Sequence, residues 1–369
     1  MKKKIPILYI TPSSGHYKAA KALKKSVKFV DRNCDAISID ALKFLHPWVE
    51  GFVNWCYALV IKKIPFIWGR IYDKKKVISC LNPIKRFIHY VDRLKVKNLF
   101  ARIKPDVVVC TQAFPCGVVC SYKRFIDPKI KLVACITDFM PHRFWIYEEV
   151  DYFTVAGEEA KNYLVAEGVP PEKIKPAGIP ILPQFRHILR KESRQNLGID
   201  ENIPVVLLLG GGSGIGSLKE VARYLDILEL DLQIIIVCGR NHQLYQWFKT
   251  NKKFFKKKII VYSYVDFVDK LMDVADVIVT KPGGITISEA LAKRLAIVLV
   301  NPIPGQEERN MHFLVKKKIA LKAEDSYQAA LLIKSILKDK NLSEELRNNA
   351  YAFSRPESSL DIIRLVLNL

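Results

Sequence analysis

Val205-Val-Leu-Leu-Leu-Gly-Gly-Gly-Ser-Gly-Ile-Gly216 opens on five apolar residues, turns on a run of glycines and leads into a helical segment. An apolar run of that length bounded by glycine reads as a strand, and the glycine-rich turn after it opens a helix. Outward from this point, strand-like runs alternate with helix-length amphipathic segments, the pattern of parallel sheets with helices on both faces. Toward the carboxyl end follow Gln233–Cys238, Lys258–Tyr262, Asp276–Thr280 and Ile297–Val300, with helices from about Ser326 onward. Toward the amino end, beyond the proline-punctuated stretch Gly178–Pro183, stand Ile5–Ile10, Ala36–Ile39, Asp106–Cys110, Lys131–Ile136, Tyr152–Ala156 and Ile174–Ala177. The series therefore starts twice. The class is α/β, with two Rossmann-like domains expected at 1–180 and 181–369 and the last helices packing back toward the first. Ligands of open α/β sheets bind beyond the carboxyl ends of the strands, so functional residues belong on strand-to-helix loops facing an interdomain cleft.

Composition narrows the classes. A chain of 369 residues, half of them hydrophobic, is too long for a small module and too apolar for a disordered one. No apolar run reaches the ~18 residues of a transmembrane helix, and Met1-Lys-Lys-Lys followed by Ile5–Ile10 reads as a first strand, not a signal peptide. The net charge of +22 predicts attraction to nucleic acid or an anionic membrane surface, and charge alone does not choose between them. No nucleic-acid reader motif is present, so no specific nucleic-acid partner is expected. The eight cysteines include no C-x-x-C pair and read as buried thiols in a reducing compartment. Nor do His, Cys, Asp and Glu cluster with metal-ligand spacing, so neither metal nor cofactor is expected.

The loops carry the chemistry. Gly210–Gly216 can receive a diphosphate on its backbone N–H groups, although a tight strand–helix turn accounts for it equally well. Lys281-Pro-Gly-Gly-Ile-Thr-Ile-Ser-Glu289 again sits between a strand and a helix. There Thr286 is expected to help cap the helix, and Glu289 to meet a ribose diol or stand as a solvated glutamate. Pro302-Ile-Pro-Gly-Gln-Glu307 with Asn310 supplies amides and a carboxylate suited to sugar hydroxyls.

Lys281–Glu289 followed by Pro304-Gly-Gln-Glu307 and Asn310 resembles the donor-binding signature of processive diacylglycerol glucosyltransferases and monogalactosyldiacylglycerol synthases. The resemblance extends to Gly15-His16, Thr137-Asp138-Phe139, His142-x-x-Trp145, Gly178–Ile181 with Pro183–Phe185, Val237–Gly239 and Tyr264-Val265. It implies a GT-B fold and inverting transfer of a hexose, glucose before galactose, from a UDP-sugar to diacylglycerol at the cytoplasmic face of a membrane. In that reading the uracil lies against the Tyr264-Val265 backbone. The diphosphate lies on Gly211, Gly212, Ser213, Gly283 and Gly284, the ribose on Glu289, and the sugar hydroxyls on Gln306 and Glu307. Lys281, Thr286 and Asn310 complete the donor set. His16 is the implied general base for the acceptor hydroxyl, with Gly15, Asp138, His142 and Trp145 on the acceptor side. The chain departs from the family pattern at Pro12-Ser-Ser14, which replace glycines, and at Tyr147, where a histidine is frequent. The nearest enzymatic rival is the related N-acetylglucosaminyltransferase acting on a polyprenyl-diphosphate lipid.

Segment 43–62 places Trp48, Phe52 and Trp55 among ten apolar residues at mostly helical spacing, followed by Lys62, Lys63, Arg70 and Lys74–Lys76. That composition suits an interfacial anchor, and equally a core helix with a basic end. On the first helix, Lys18, Lys21, Lys24, Lys25 and Lys28 share one arc, opposite Ala19, Ala20, Leu23, Val27 and Val30.

Overall fold

The structure, a computed structural model, describes residues 3–11, 14–48, 75–211 and 217–369. Among these residues the chain forms two six-stranded, all-parallel sheets. The first contains β1 (Lys4–Tyr9), β2 (Asp35–Asp40), β3 (Val107–Cys110), β4 (Lys131–Cys135), β5 (Tyr152–Thr154) and β6 (Ile174–Lys175), in the order β2-β1-β3-β4-β5-β6. The second contains β7 (Val205–Leu209), β8 (Gln233–Val237), β9 (Ile259–Tyr262), β10 (Val277–Thr280), β11 (Ala296–Leu299) and β12 (Ala320–Lys322), in the order β12-β11-β10-β7-β8-β9. The central strands β3, β7, β8, β10 and β11 are buried at every residue, which is why they read as unbroken apolar runs and not as alternating ones.

By compactness the chain divides into two units. One comprises 1–183, 303–309 and 357–369, and the other 184–302 and 310–356. In the first unit, helix Gly15–Val30 buries Ala19, Ala20, Ala22, Leu23, Ser26 and Val27, while Lys21, Lys24, Lys25 and Lys28 face solvent. Against it packs helix Ser358–Leu367, pinned by a buried bond from the Ser26 hydroxyl to Ser359 Oγ (2.8 Å) and by Ser358 Oγ donating to the Ile179 carbonyl (2.8 Å). Ile362, Ile363 and Val366 thereby join the core beneath β1 and β3.

The second unit is tied at the amino ends of β7 and β10 by Asp276. Its carboxylate accepts from Arg190 (2.6 Å), Arg194 (3.1 Å), Arg347 (3.2 Å) and the backbone N–H of Val205 (2.9 Å). Nearby, Lys293 and Asp273 form a buried pair at 2.7 Å, where burial raises the Asp273 carboxyl and the lysine opposes that rise. Among the described residues no helix is long and apolar enough to cross a membrane, and six cysteines are buried and free.

Nine of the eleven expected strands run one or two residues beyond an observed strand end, and β12 leaves no mark in the sequence because Ala320-Leu-Lys322 is too short to show alternation. For Asp276→Ala we expect a loss of about 3–5 kcal/mol, because the buried Arg194 guanidinium loses its counter-charge. A denaturant midpoint within experimental error of the parent protein would refute that account.

Candidate functional site

In the first sheet the strand order reverses between β1 and β3, so the loops that leave these two neighbours diverge and open a crevice. His16 stands there, one residue into helix Gly15–Val30. Its Nδ1 lies 2.8 Å from the Thr111 carbonyl at the end of β3. A carbonyl oxygen only accepts, so Nδ1–H donates and the neutral ring keeps its lone pair on Nε2. Thr137 Oγ1 lies 2.9 Å from the same Nδ1, and Thr111 Oγ1 donates to the His16 carbonyl (3.0 Å). Burial pushes the imidazole down to about 4, opposed by the bond to Thr111. The result is an uncharged ring of fixed tautomer and fixed orientation.

The loop before it is stiff in its described part. Thr11 holds φ +63°, a conformation rarely adopted by a β-branched residue, and its carbonyl accepts from the Ser14 N–H (3.1 Å). Ser14 Oγ caps the helix by accepting from Tyr17 N–H (3.3 Å), so this departure from the family's glycines serves as an N-cap. Pro12 and Ser13 lie outside the described residues.

After β4, Thr137, Asp138 and Phe139 are buried, and His142 is the N-cap of a single 3₁₀ turn, Arg143–Trp145, accepting from Phe144 N–H at 3.1 Å. Trp145 belongs to the hydrophobic core. Tyr147 turns its ring toward His89 of helix Lys75–Ile103, at 6.1 Å between centroids. A Cβ on Gly117 would overlap both the His89 ring and the Tyr147 hydroxyl, so glycine is required for this helix to come so close. Trp48 is fully exposed, whereas Phe52 and Trp55 lie outside the described residues.

The second sheet reverses between β7 and β10, and the two glycine-rich loops leave those strands side by side. Gly211 has φ +67° with open space where a Cβ would stand, so its conformation and not crowding calls for glycine. Gly212 and Ser213 lie outside the described residues. Helix Gly284–Ala292 begins at Gly283 with no side chain capping it. The expectation that Thr286 caps this helix is therefore corrected: Thr286 lies within the first turn. The first-turn N–H groups are not met by a side-chain cap, a geometry that suits an anion. Glu289 is 4% exposed on that helix, so the solvated-glutamate alternative fails. Lys281 is half-buried, Tyr264 is exposed with the Arg240 guanidinium 5.6 Å from its ring centre, and Val265 is half-buried.

Beyond β11, Gln306 opens helix Gln306–Lys316 and is half-buried. Glu307 Oε2 accepts from the Ile303 N–H (2.7 Å) and Glu308 from Gly305 N–H (3.0 Å), which folds the loop onto the helix start. Asn310 is buried and its amide donates to the Pro282 carbonyl (3.1 Å), so it holds the Lys281–Gly284 turn. Sequence reasoning gave no role to Thr111 and Thr137. Their signal was positional: Thr111 directly follows β3 and Thr137 stands two residues beyond β4, both at the carboxyl ends of the strands. Among the described residues no group of three or more His, Cys, Asp or Glu is placed to hold a metal ion.

The monogalactosyldiacylglycerol (MGDG) synthase family matches residues 16–181, and the glycosyltransferase family 28 C-terminal domain matches residues 205–363. A processive diacylglycerol beta-glucosyltransferase from Bacillus cereus is 30% identical over 99% of this chain and 93% of its own length, and that of Bacillus thuringiensis (strain Al Hakam) matches equally. Among solved structures, MurG of Acinetobacter baumannii is similar with a TM-score of 0.67 at 16% identity, covering 100% of both chains. HepE of Anabaena, solved in complex with UDP, has a TM-score of 0.58 at 13% identity over 100% of both chains.

His89 shares the depressed basicity of His16: burial, with a smaller contribution from the Lys85 charge, pushes it to about 4 from an ordinary 6.5. In the unfolded chain both rings take up a proton near 6.5, so the unfolded state binds more protons between pH 6.5 and 4. Stability is then complete above pH 6.5 and falls as the pH drops toward 4. We expect denaturation between about pH 6.5 and 5 to take up about one proton for each of the two rings, and His89→Asn to remove one of them. Stability independent of pH across that window would contradict both assignments.

Proposed function

Since the chain belongs to the processive diacylglycerol β-glucosyltransferase family and carries its GT-B fold, it is a UDP-sugar-dependent hexosyltransferase of glycolipid synthesis, and we propose that it moves glucose from UDP-glucose to diacylglycerol at the cytoplasmic surface of a membrane. The observation that carries the mechanism is the bond from His16 Nδ1–H to the Thr111 carbonyl. It leaves Nε2 as a base at any pH above about 5, ready to take the acceptor hydroxyl proton as the oxygen attacks the anomeric carbon. The bond from that carbon to the UDP oxygen breaks on the opposite face, with inversion. The departing diphosphate meets the start of helix Gly284–Ala292 and the turn at Gly211, where backbone N–H groups and the helix dipole oppose its charge.

In this reading residues 1–180 carry the acceptor side and 181–369 the donor side. Tyr264-Val265 takes the uracil, Glu289 the ribose diol, and Gln306 with Glu307 the sugar hydroxyls. Lys281 adds charge beside the diphosphate, and Asn310 acts by holding the turn at Pro282. Asp138 and His142 lie on the loop after β4, next in the sheet to β3. Transfer of N-acetylglucosamine to a polyprenyl-diphosphate lipid is the weaker reading, since the similarity to MurG at 16% identity speaks for the fold alone.

UDP release by the purified protein, with diacylglycerol in anionic vesicles and each of UDP-glucose, UDP-galactose and UDP-N-acetylglucosamine, tests the reading; release with UDP-glucose but no diacylglycerol dependence would sink it. For His16→Ala we expect turnover to fall by about 10²-fold or more with donor affinity nearly intact. Glu289→Ala should instead weaken UDP binding, which titration calorimetry reads directly, and unchanged affinity would remove Glu289 from the ribose.

A further inference from the structure

The turn that carries Gln306 and Glu307 is closed on itself. Glu307 and Glu308 accept from the backbone N–H groups of Ile303 and Gly305, and the Arg309 N–H donates to the Gly305 carbonyl (3.2 Å), with Gly305 at φ +94°. From this turn Arg309 reaches outward: its Nη1 donates to the Pro141 carbonyl (3.3 Å). A guanidinium keeps its charge at any working pH, so this is a charge-assisted bond that pH does not remove.

Pro141 stands in the loop that follows β4. Near the start of that loop Thr137 Oγ1 lies 2.9 Å from His16 Nδ1, and directly after Pro141 the His142 side chain caps the Arg143–Trp145 turn. The loop is therefore held by the base at one place and by Arg309 at another. Residues 303–309 accordingly belong to the compact unit that contains residues 1–183, whereas the glycine turns at Gly211 and Gly283-Gly284 belong to the other. A hexose bound by Gln306 and Glu307 is thus held by the unit that carries His16, and the spacing between base and sugar is set inside that one unit. Catalysis by orientation is sensitive to such spacing, since a displacement of about 1 Å can cost on the order of 10²-fold in rate.

We propose that Arg309 is a positioning residue, which moors the hexose-binding turn to the Thr137–Trp145 loop through the Pro141 carbonyl and so fixes where the anomeric carbon stands relative to His16. The proposal rests on the assignment of Gln306 and Glu307 to the sugar hydroxyls. The test compares the full-length parent with Arg309→Met, Arg309→Lys and Gln306→Ala, by titration calorimetry with UDP and with UDP-glucose and by transfer to diacylglycerol in anionic vesicles. For Arg309→Met we expect UDP affinity within about twofold of the parent, UDP-glucose affinity weaker by about fivefold or more, and kcat lower by about tenfold or more. Arg309→Lys keeps a charged donor for the single bond to Pro141 and should recover most of that kcat. Parent-like UDP-glucose affinity and kcat in Arg309→Met, with Gln306→Ala impaired, overturn the proposal alone. UDP affinity that falls in step with UDP-glucose affinity overturns it as well, because the damage then lies in the fold as a whole. Parent-like UDP-glucose affinity in Gln306→Ala removes the sugar assignment and the proposal with it. If the calorimetry comes out as expected and the parent transfers nothing to diacylglycerol, the mooring stands and the diacylglycerol reading falls.

Discussion

Parallel pairing is the constraint from which the rest follows. Two parallel neighbours cannot be joined by a tight turn, so each chain reversal needs a crossover, here nearly always a helix, and all strands of a sheet end on the same side. Every strand-to-helix loop is thereby delivered to one edge. Where the order of strands reverses, at β1/β3 and at β7/β10, adjacent loops part and leave their helix starts exposed to a ligand. His16 occupies one reversal, and the turns at Gly211 and at Gly283-Gly284 occupy the other.

At the first reversal the cost of burying an imidazole is turned to use. Desolvation disfavours the charged ring, and a single backbone carbonyl then selects the tautomer. Two threonines complete the setting from β3 and β4, strands distant in sequence from the helix that carries the histidine. In the second unit, the guanidiniums around Asp276 and the Lys293–Asp273 pair lie away from the glycine turns and hold the framework on which those turns stand.

Much of this was legible in the residues because fully buried parallel strands leave a plain mark. Val205–Leu209 and Ile234–Val237 are uniformly apolar and bounded by turn residues, and the glycine turn after β7 marks the left-handed backbone at Gly211. What escaped was set by contacts made in space. The burial of Glu289 follows from packing around its helix, and the absence of a cap by Thr286 follows from where that helix starts, neither of which has a periodic signature. Thr111 and Thr137 acquire their role only when β1, β3 and β4 lie side by side. Segment 43–62 stands out by its aromatics, whereas the exposed Phe87, Tyr90, Val91 and Leu94 do not, because the other half of their helix is ordinary core.

Helix Ser358–Leu367 completes the core under β1 and β3 although more than two hundred residues of chain separate it from the nearer of the strands it covers. In a chain made from its amino end, Ile5, Ile7, Val107 and Val109 therefore emerge long before Ile362, Ile363 and Val366. The second unit contains most of the chain between β6 and that helix and can close on its own contacts first, while the first unit waits for its last helix with apolar surface uncovered. The earliest-made sheet is thus the last to be finished, and the interval before it is sealed is when the nascent protein is most exposed to misassociation.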